Sequence, residues 1–357
     1  MTPKAFVRLL AAAGLLLLPA RMVEAQTLSC PPCEIRLTPI AELGSRAAAF
    51  QPSVVNTVAR FSDGSFAVAP QFVAPLILLY DTVGLVSVAF DRRGSGPGEL
   101  ESPPNLFMGR GDTLLALEGL RGTRFDAGLR PMGTQRLPSP APSILAVLSD
   151  GRMVANWRVS LPDGRVSQAA LLDATWGLLN PLEPASPETA VRGMQMAASS
   201  RGGAWFLHPG SSEVKHLSND GEQETTVSIR RTWFEPWVGQ PPRAPGEGVY
   251  SRPRPSNAGL SELSPERLLL ITSFPSVEWK PAVSPGEPLR PADASILGSM
   301  ETMLEVVDSS TGEVVAALKV PGVLRGVAGA PDCLFATREE EDGHITIQVW
   351  KVELTAT

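Results

Sequence analysis

Asp63-Gly64-Ser65-Phe66-Ala67-Val68 is followed, ten residues on, by Leu78-Leu79-Tyr80-Asp81, then Gly84 and Val86. The first run is a turn that feeds an apolar strand. The second is a strand that ends on an acidic turn and starts again. Asp suits such a turn because its carboxylate bonds to nearby backbone N–H groups, and Gly takes a positive φ at little cost. Together the two runs read as an antiparallel hairpin pair.

Both patterns recur. Turn-then-strand returns at residues 111–117, 150–155, 202–207, 265–271 and 331–336. Strand-then-acidic-turn returns with Asp126 before Gly128, Asp173 before Gly177, Asp220 before Gly221 and Asp308 before Gly312. These acidic residues stand about 45 apart, with the last gap about double, and a four-stranded unit needs roughly 40–50 residues. A short strand precedes each copy, at residues 54–61, 105–109, 143–148, 192–197, 259–263 and 323–328. Six sets of four strands fit this count. One continuous sheet does not, because it would leave long unprotected edges. The expectation is an all-β, six-bladed β-propeller over residues 34–357, with the short strands innermost.

The ends carry a second expectation. Residues 344–354 alternate through Ile345, Ile347 and Val349, then slip to Trp350, Val352 and Leu354, which points to a bulge or strong twist. Residues 34–40 form a strand with no blade of its own. It is expected to pair in the last blade and shut the ring.

Composition agrees. The chain has 357 residues, 43% hydrophobic and 19% charged, which excludes disorder for the whole. Its 32 Gly and 34 Pro favour turns over long helices. With 31 basic and 37 acidic residues the net charge is −6, so no broad basic field for nucleic acid is present. Residues 1–25 read as an export signal. Lys4 and Arg8 precede an apolar run at residues 9–18, shorter than the roughly 20 residues a spanning helix needs. Val23-Glu24-Ala25 offers a cleavage site before Gln26. An uncleaved anchor and a lipid attachment at Cys30 are the other readings. No later membrane span is expected, and the mature chain is expected to be a periplasmic or extracellular monomer.

Gly94-Ser95-Gly96-Pro97-Gly98-Glu99-Leu100 resembles the G-x-G-P-G-E-[FL] connection of secreted bacterial six-bladed β-propellers related to NHL-repeat propellers. The resemblance covers residues 34–357 and implies the fold and export, but no shared activity. It departs at a long insertion, residues 230–257. As a phosphate cradle the heptapeptide lacks a following helix.

Several residues could carry chemistry. Cys30-Pro31-Pro32-Cys33 has redox or metal spacing, but no thioredoxin-like pattern surrounds it. In an exported chain the pair reads as a local Cys30–Cys33 disulfide in the short segment of residues 26–33, ahead of the closing strand. Cys333 belongs on the second strand of the last blade and Cys33 leads into the fourth. Two strand spacings are about 10 Å, too far for a disulfide, which needs roughly 4.4–6.8 Å between Cα atoms. Cys333 is therefore expected to be a buried free thiol. His208, His216 and His344 are scattered, so no zinc site is expected. Residues 339–342 read as a solvated acidic hairpin tip or a loose calcium site.

The insertion holds Arg231, Trp233, Trp237, Arg243, Tyr250, Arg252 and Arg254 among many prolines, and a second extension follows at residues 279–291. Long Pro-rich loops on a rigid scaffold suit binding, and Trp beside Arg can stack on planar or sugar-like groups. The other reading makes Trp233 and Trp237 packing anchors over a blade edge. The innermost strands offer Asn56, Asn105, Gln195, Glu262 and Arg325 to the axis. Lactonases and lyases on this fold hold a metal there. Asn56 with Glu262 could help hold one hard cation, but no general base or nucleophile stands out by spacing. The expected function is a binding module for a protein or saccharide-like partner, with no cofactor. The alternative is a metal-dependent hydrolase or lyase acting on the axis.

Overall fold

The structure is a computed structural model. It describes residues 33–44, 55–71, 75–137, 139–157, 159–160, 163, 166–185, 194–237, 253–279, 299–340 and 345–356. The expected signal segment, Cys30, His344, Glu341 and Asp342 lie outside these residues, as does the second extension beyond Trp279. Residues 31–357 form one compact unit, to which everything below refers.

Every described element is a strand, and the strands group into six antiparallel sheets. Blade 1 runs outward through β2 (Val55–Arg60), β3 (Phe66–Pro70), β4 (Ile77–Tyr80) and β5 (Val86–Phe90). Blade 2 holds β6 (Asn105–Met108), β7 (Leu114–Glu118), β8 (Arg121–Phe125) and β9 (Pro131–Arg136). Blade 3 holds β10 (Leu145–Val147), β11 (Met153–Ala155), β12 (Val159–Ser160), β13 (Val166–Leu172) and β14 (Leu178–Ala185). Blade 4 holds β15 (Gln195–Ala198), β16 (Ala204–Leu207), β17 (Glu213–Leu217) and β18 (Gln223–Ser228). Blade 5 holds β19 (Ser256–Ser264), β20 (Arg267–Pro275), β21 (Met300–Asp308) and β22 (Val314–Pro321). Blade 6 holds β23 (Arg325–Val327), β24 (Ala330–Glu339) and β25 (Ile345–Ala356), and β1 (Cys33–Leu43) completes it from the other end of the chain. The six-bladed propeller is thus the observed fold. The expected four strands per blade fail once, in blade 3, where the extra β12 pairs with β13.

The side-chain period of two explains the core. Successive residues of a strand point to opposite faces of its sheet, and each face meets a neighbouring blade. Phe66 and Val68 pack towards blade 6, while Ala67 and Ala69 pack towards blade 2. Ala204 and Phe206 join blade 3, while Trp205 and Leu207 join blade 5. Middle strands are buried on both sides, so they read as continuous apolar runs rather than alternating ones. The slip at Val349/Trp350 has the same origin. Ile347 and Val349 pack on blade 1, and Val352 is buried on the opposite face of β25. The expected bulge is carried by the partner strand, where the β1–β25 register shifts between Pro39 and Ala41.

The acidic turns work as expected, with two corrections. Asp81 accepts hydrogen bonds from the amides of Val83 and Leu85, and Asp126 from those of Gly128 and Arg130. Asp173 does the same for Thr175 and Gly177, and the Thr175 hydroxyl with these amides holds its carboxyl below the ordinary range. In blade 4 the capping residue is Ser218, not Asp220: the Ser218 hydroxyl accepts from the amides of Asp220 and Glu222. The second correction concerns glycine. The positive φ falls three residues after the cap, on Leu129 (57°) in blade 2 and Trp176 (67°) in blade 3, rather than on Gly128 or Gly177. A non-Gly residue pays about 1–2 kcal/mol there. Both side chains are buried, at 3% and 2% exposure, and full burial of a large apolar side chain returns about 1.5–3 kcal/mol.

Candidate functional site

The six innermost strands run the same way along the axis. Ala59 and Ala328 form a parallel bridge, with the Arg60 amide donating to Ala328 O and the Ala328 amide donating to Val58 O, each at 2.9 Å. The strand starts therefore surround one mouth of the axis and the strand ends the other.

At the mouth made by the strand ends lies a cavity of about 690 Å³. Arg60 closes β2 and enters it from blade 1, together with Ser62. The turn after β6 brings Arg110 and Asp112, and the first residues of β24 bring Asp332. Asp112 adopts a positive φ of 56°, which Asp tolerates better than most residues. Its Oδ1 accepts from the Ser62 amide at 3.0 Å and its Oδ2 from the Ser62 hydroxyl, which ties the blade 1 and blade 2 turns together. Gly329 lets blade 6 close in: a Cβ there would meet Met108 and lie 2.9 Å from Arg60 O.

Arg60 is half-buried. Its Nη1 makes a long contact of 3.5 Å to Cys333 Sγ, its guanidinium lies 5.6 Å from the Phe66 ring centre, and its Nε is buried with no partner. Among the described residues no carboxylate lies within ion-pair distance of it. Cys333 is a fully buried free thiol, on the second strand of blade 6 as expected. Burial, with Asp332 next to it, pushes the thiol up to about 11. Cys333 should therefore stay unlabelled by iodoacetamide at pH 8 in the native protein and react only on unfolding, because the thiolate is the reacting form. Mass spectrometry of labelled native and urea-treated protein checks this; native labelling at the unfolded rate contradicts it. Cys33 is disulfide-bonded.

The axial residues singled out from sequence divide into two sets. Asn56, Asn105, Gln195 and Arg325 all stand at or next to the start of their strands, at the opposite mouth. Asn56 Nδ2 donates to Asn105 Oδ1 at 2.5 Å, and Arg325 Nη1 donates to Val55 O at 3.1 Å. Glu262 is not among them. It stands near the end of β19, where its Oε1 accepts from the Ser200 amide at 2.8 Å and its Oε2 from Trp205 Nε1 at 2.6 Å. Its carboxylate is spent in the seam between blades 4 and 5, so the expected pairing of Asn56 with Glu262 around a cation does not form. Among the described residues, no three His, Cys, Asp or Glu side chains gather as a metal centre would need.

The insertion also turns inward at its described ends. Arg231 is buried, with Nη1 3.3 Å from Glu305 Oε2, 3.0 Å from Asn257 Oδ1 and 3.3 Å from Thr272 Oγ1. Its Nη2 donates to Ser211 O, and its guanidinium lies 4.1 Å from the Phe234 ring centre. Trp233 Nε1 donates to Glu305 Oε1 at 2.8 Å. Trp237 covers Gly210, where an added Cβ would lie 2.5 Å from its ring, and its Nε1 donates to Pro255 O. Arg231 is buried and Trp237 half-buried, while Trp233, at 36% exposure, also meets solvent. Arg254 is exposed. Arg243, Tyr250 and Arg252 lie outside the described residues. Arg60, Asp112, Asp332 and Glu305 were missed from sequence. Glu305 left one signal, a charge inside the apolar run Leu304 to Val307.

No protein-family model and no curated protein sequence matches the chain. Among solved structures, a member of the DUF4221 family from Bacteroides vulgatus superposes with a TM-score of 0.56 at 11% identity, covering 91% of this chain and 99% of that one. A gluconolactonase from Xanthomonas campestris gives 0.45 at 15% identity, covering 85% and 87%. A protein of unknown function from Bacteroides thetaiotaomicron gives 0.46 at 12% identity, covering 90% and 76%. At these identities the likeness is one of fold.

Proposed function

We propose that this chain is an exported recognition module, and that a saccharide-like ligand seats in the cavity at the mouth made by the strand ends. The export part rests on the basic start, short apolar run and small-residue cleavage pattern of residues 1–25. The binding part rests on one observation, a cavity whose mixed lining gathers Arg60, Arg110 and Asp332 among apolar and glycine residues. Its volume of about 690 Å³ suits a small molecule better than a protein surface, since ligand pockets run to roughly 300–1,000 Å³. Among the lining residues Arg60 and Arg110 carry donors and Asp332 carries acceptors. Neighbouring hydroxyls of a sugar need both, and a planar guanidinium can serve two at once. Arg60 and Asp332 sit on strands and Arg110 on a short turn of a rigid ring, so little ordering is left for binding to cost.

Isothermal titration against a panel of mono- and oligosaccharides tests the reading. At least one sugar should bind, and Arg110→Ala and Asp332→Asn should each weaken it about tenfold, the loss of about 1.4 kcal/mol in charge-assisted hydrogen bonding. Trp237→Ala should leave the affinity unchanged. A panel without a binder, or a binder indifferent to both cavity variants, defeats the proposal.

A further inference from the structure

Arg325 opens β23 at the other mouth of the axis, away from the cavity. It is half-buried, and burial alone pushes its guanidinium down from its ordinary value; no neighbouring charge offsets this. An enclosed arginine ordinarily has a carboxylate partner. Here the partners are two backbone carbonyls, Val55 O at 3.1 Å and Asn56 O at 3.4 Å, and both are held by Nη1. Among the described residues no carboxylate lies within ion-pair distance. The Nε and Nη2 hydrogens are left over. They form one edge of the fork, the edge that matches the two oxygens of a carboxylate or one face of a tetrahedral oxyanion.

The surroundings are built rather than incidental. The β2–β3 register shifts between Val55 and Thr57, which makes Asn56 a bulge residue, and bulges re-aim side chains. The bulged Asn56 reaches across to Asn105 on blade 2, and Asn105 Nδ2 reaches towards Pro142 O at 3.4 Å ahead of blade 3. A polar arc thus crosses blades 6, 1, 2 and 3 at the level of Arg325. The next residue, Gly326, is exposed and adds no side chain. A lone positive charge in a partly enclosed mouth, ringed by amides, attracts a small anion more strongly than the same charge on an open surface.

We propose that this mouth is an oxyanion site, in which the Arg325 guanidinium pairs with a carboxylate, sulfate or phosphate group beside Asn56 and Asn105. The site is independent of the saccharide-binding proposal and stands if that proposal fails.

Thermal unfolding of the full chain in acetate, sulfate and phosphate, matched in ionic strength with sodium chloride, tests it. At least one oxyanion should raise the melting temperature saturably, and the comparison of acetate with sulfate and phosphate separates a planar from a tetrahedral preference. Arg325→Gln should abolish the response. Asn56→Asp supplies a tethered carboxylate, so it should raise the melting temperature without added anion and cut the oxyanion affinity at least tenfold. Arg136→Gln, which removes an exposed arginine on the outer strand of blade 2, should respond like the parent. A parent indifferent to all three oxyanions overturns the proposal, as does an Arg325→Gln protein that responds fully. If Arg325→Gln does not fold, Asn56→Asp decides: parental oxyanion affinity in that variant overturns the proposal.

Discussion

Glu305→Ala should destabilise the protein by about 3–5 kcal/mol, the usual cost of orphaning one member of a buried ion pair. The side chains of Arg231 and Glu305 are 0% and 2% exposed. Removing the carboxylate leaves a guanidinium in the interior with neutral partners only: Asn257, Thr272, the Ser211 carbonyl and the face of Phe234. Trp233 loses its acceptor as well. Replacing both charges, as Arg231→Met with Glu305→Leu, should recover most of the loss, because the desolvation cost of two charges disappears together. Urea unfolding of the three proteins measures this. A loss under about 1 kcal/mol for Glu305→Ala would mean that water reaches Arg231.

A chain lacking residues 1–43 should show no cooperative unfolding transition. β1 pairs with β25 from Cys33 opposite Ala356 to Leu43 opposite Ile347. Leu43 is fully buried and Ile35 nearly so; each contributes about 1.5–3 kcal/mol by burial. Without β1 the long β25 becomes a bare edge with unpaired backbone groups, which is also a route to aggregation. Circular dichroism across a urea titration reads the result, and a synthetic peptide of residues 33–44 added in excess should restore part of the transition. Cooperative melting of the shortened chain within about 1 kcal/mol of the parent would show that the ring does not depend on this seal.

The fold was legible because its signals are local. Asp81, Asp126 and Asp173 mark their turns, and residues 34–40 stand out as a strand without a sheet. Ser218 escaped notice because a hydroxyl does in blade 4 what carboxylates do elsewhere. Leu129 and Trp176 escaped because burial, which sequence does not display, outweighs their backbone strain. The site was less legible for a similar reason. Arg60, Arg110, Asp112 and Asp332 come from three blades, and only the closed ring brings them to one cavity. Glu262 looked axial by its strand, but direction along the strand decides which mouth a residue serves, and its neighbours Ser200 and Trp205 claim it. In the insertion, Trp beside Arg reads the same whether the pair faces solvent or Glu305.

Sealing the ring with strands from opposite ends of the chain has a consequence for biosynthesis. The ribosome makes β1 well before β25, its pairing partner. Until β25 is made, β1 has no place to dock, and the growing arc has one unfinished blade. Blades 1 to 5 can order one after another from contacts close in sequence, but the circle locks only when β25 arrives. Synthesis of that strand is thus itself the trigger for the last folding step.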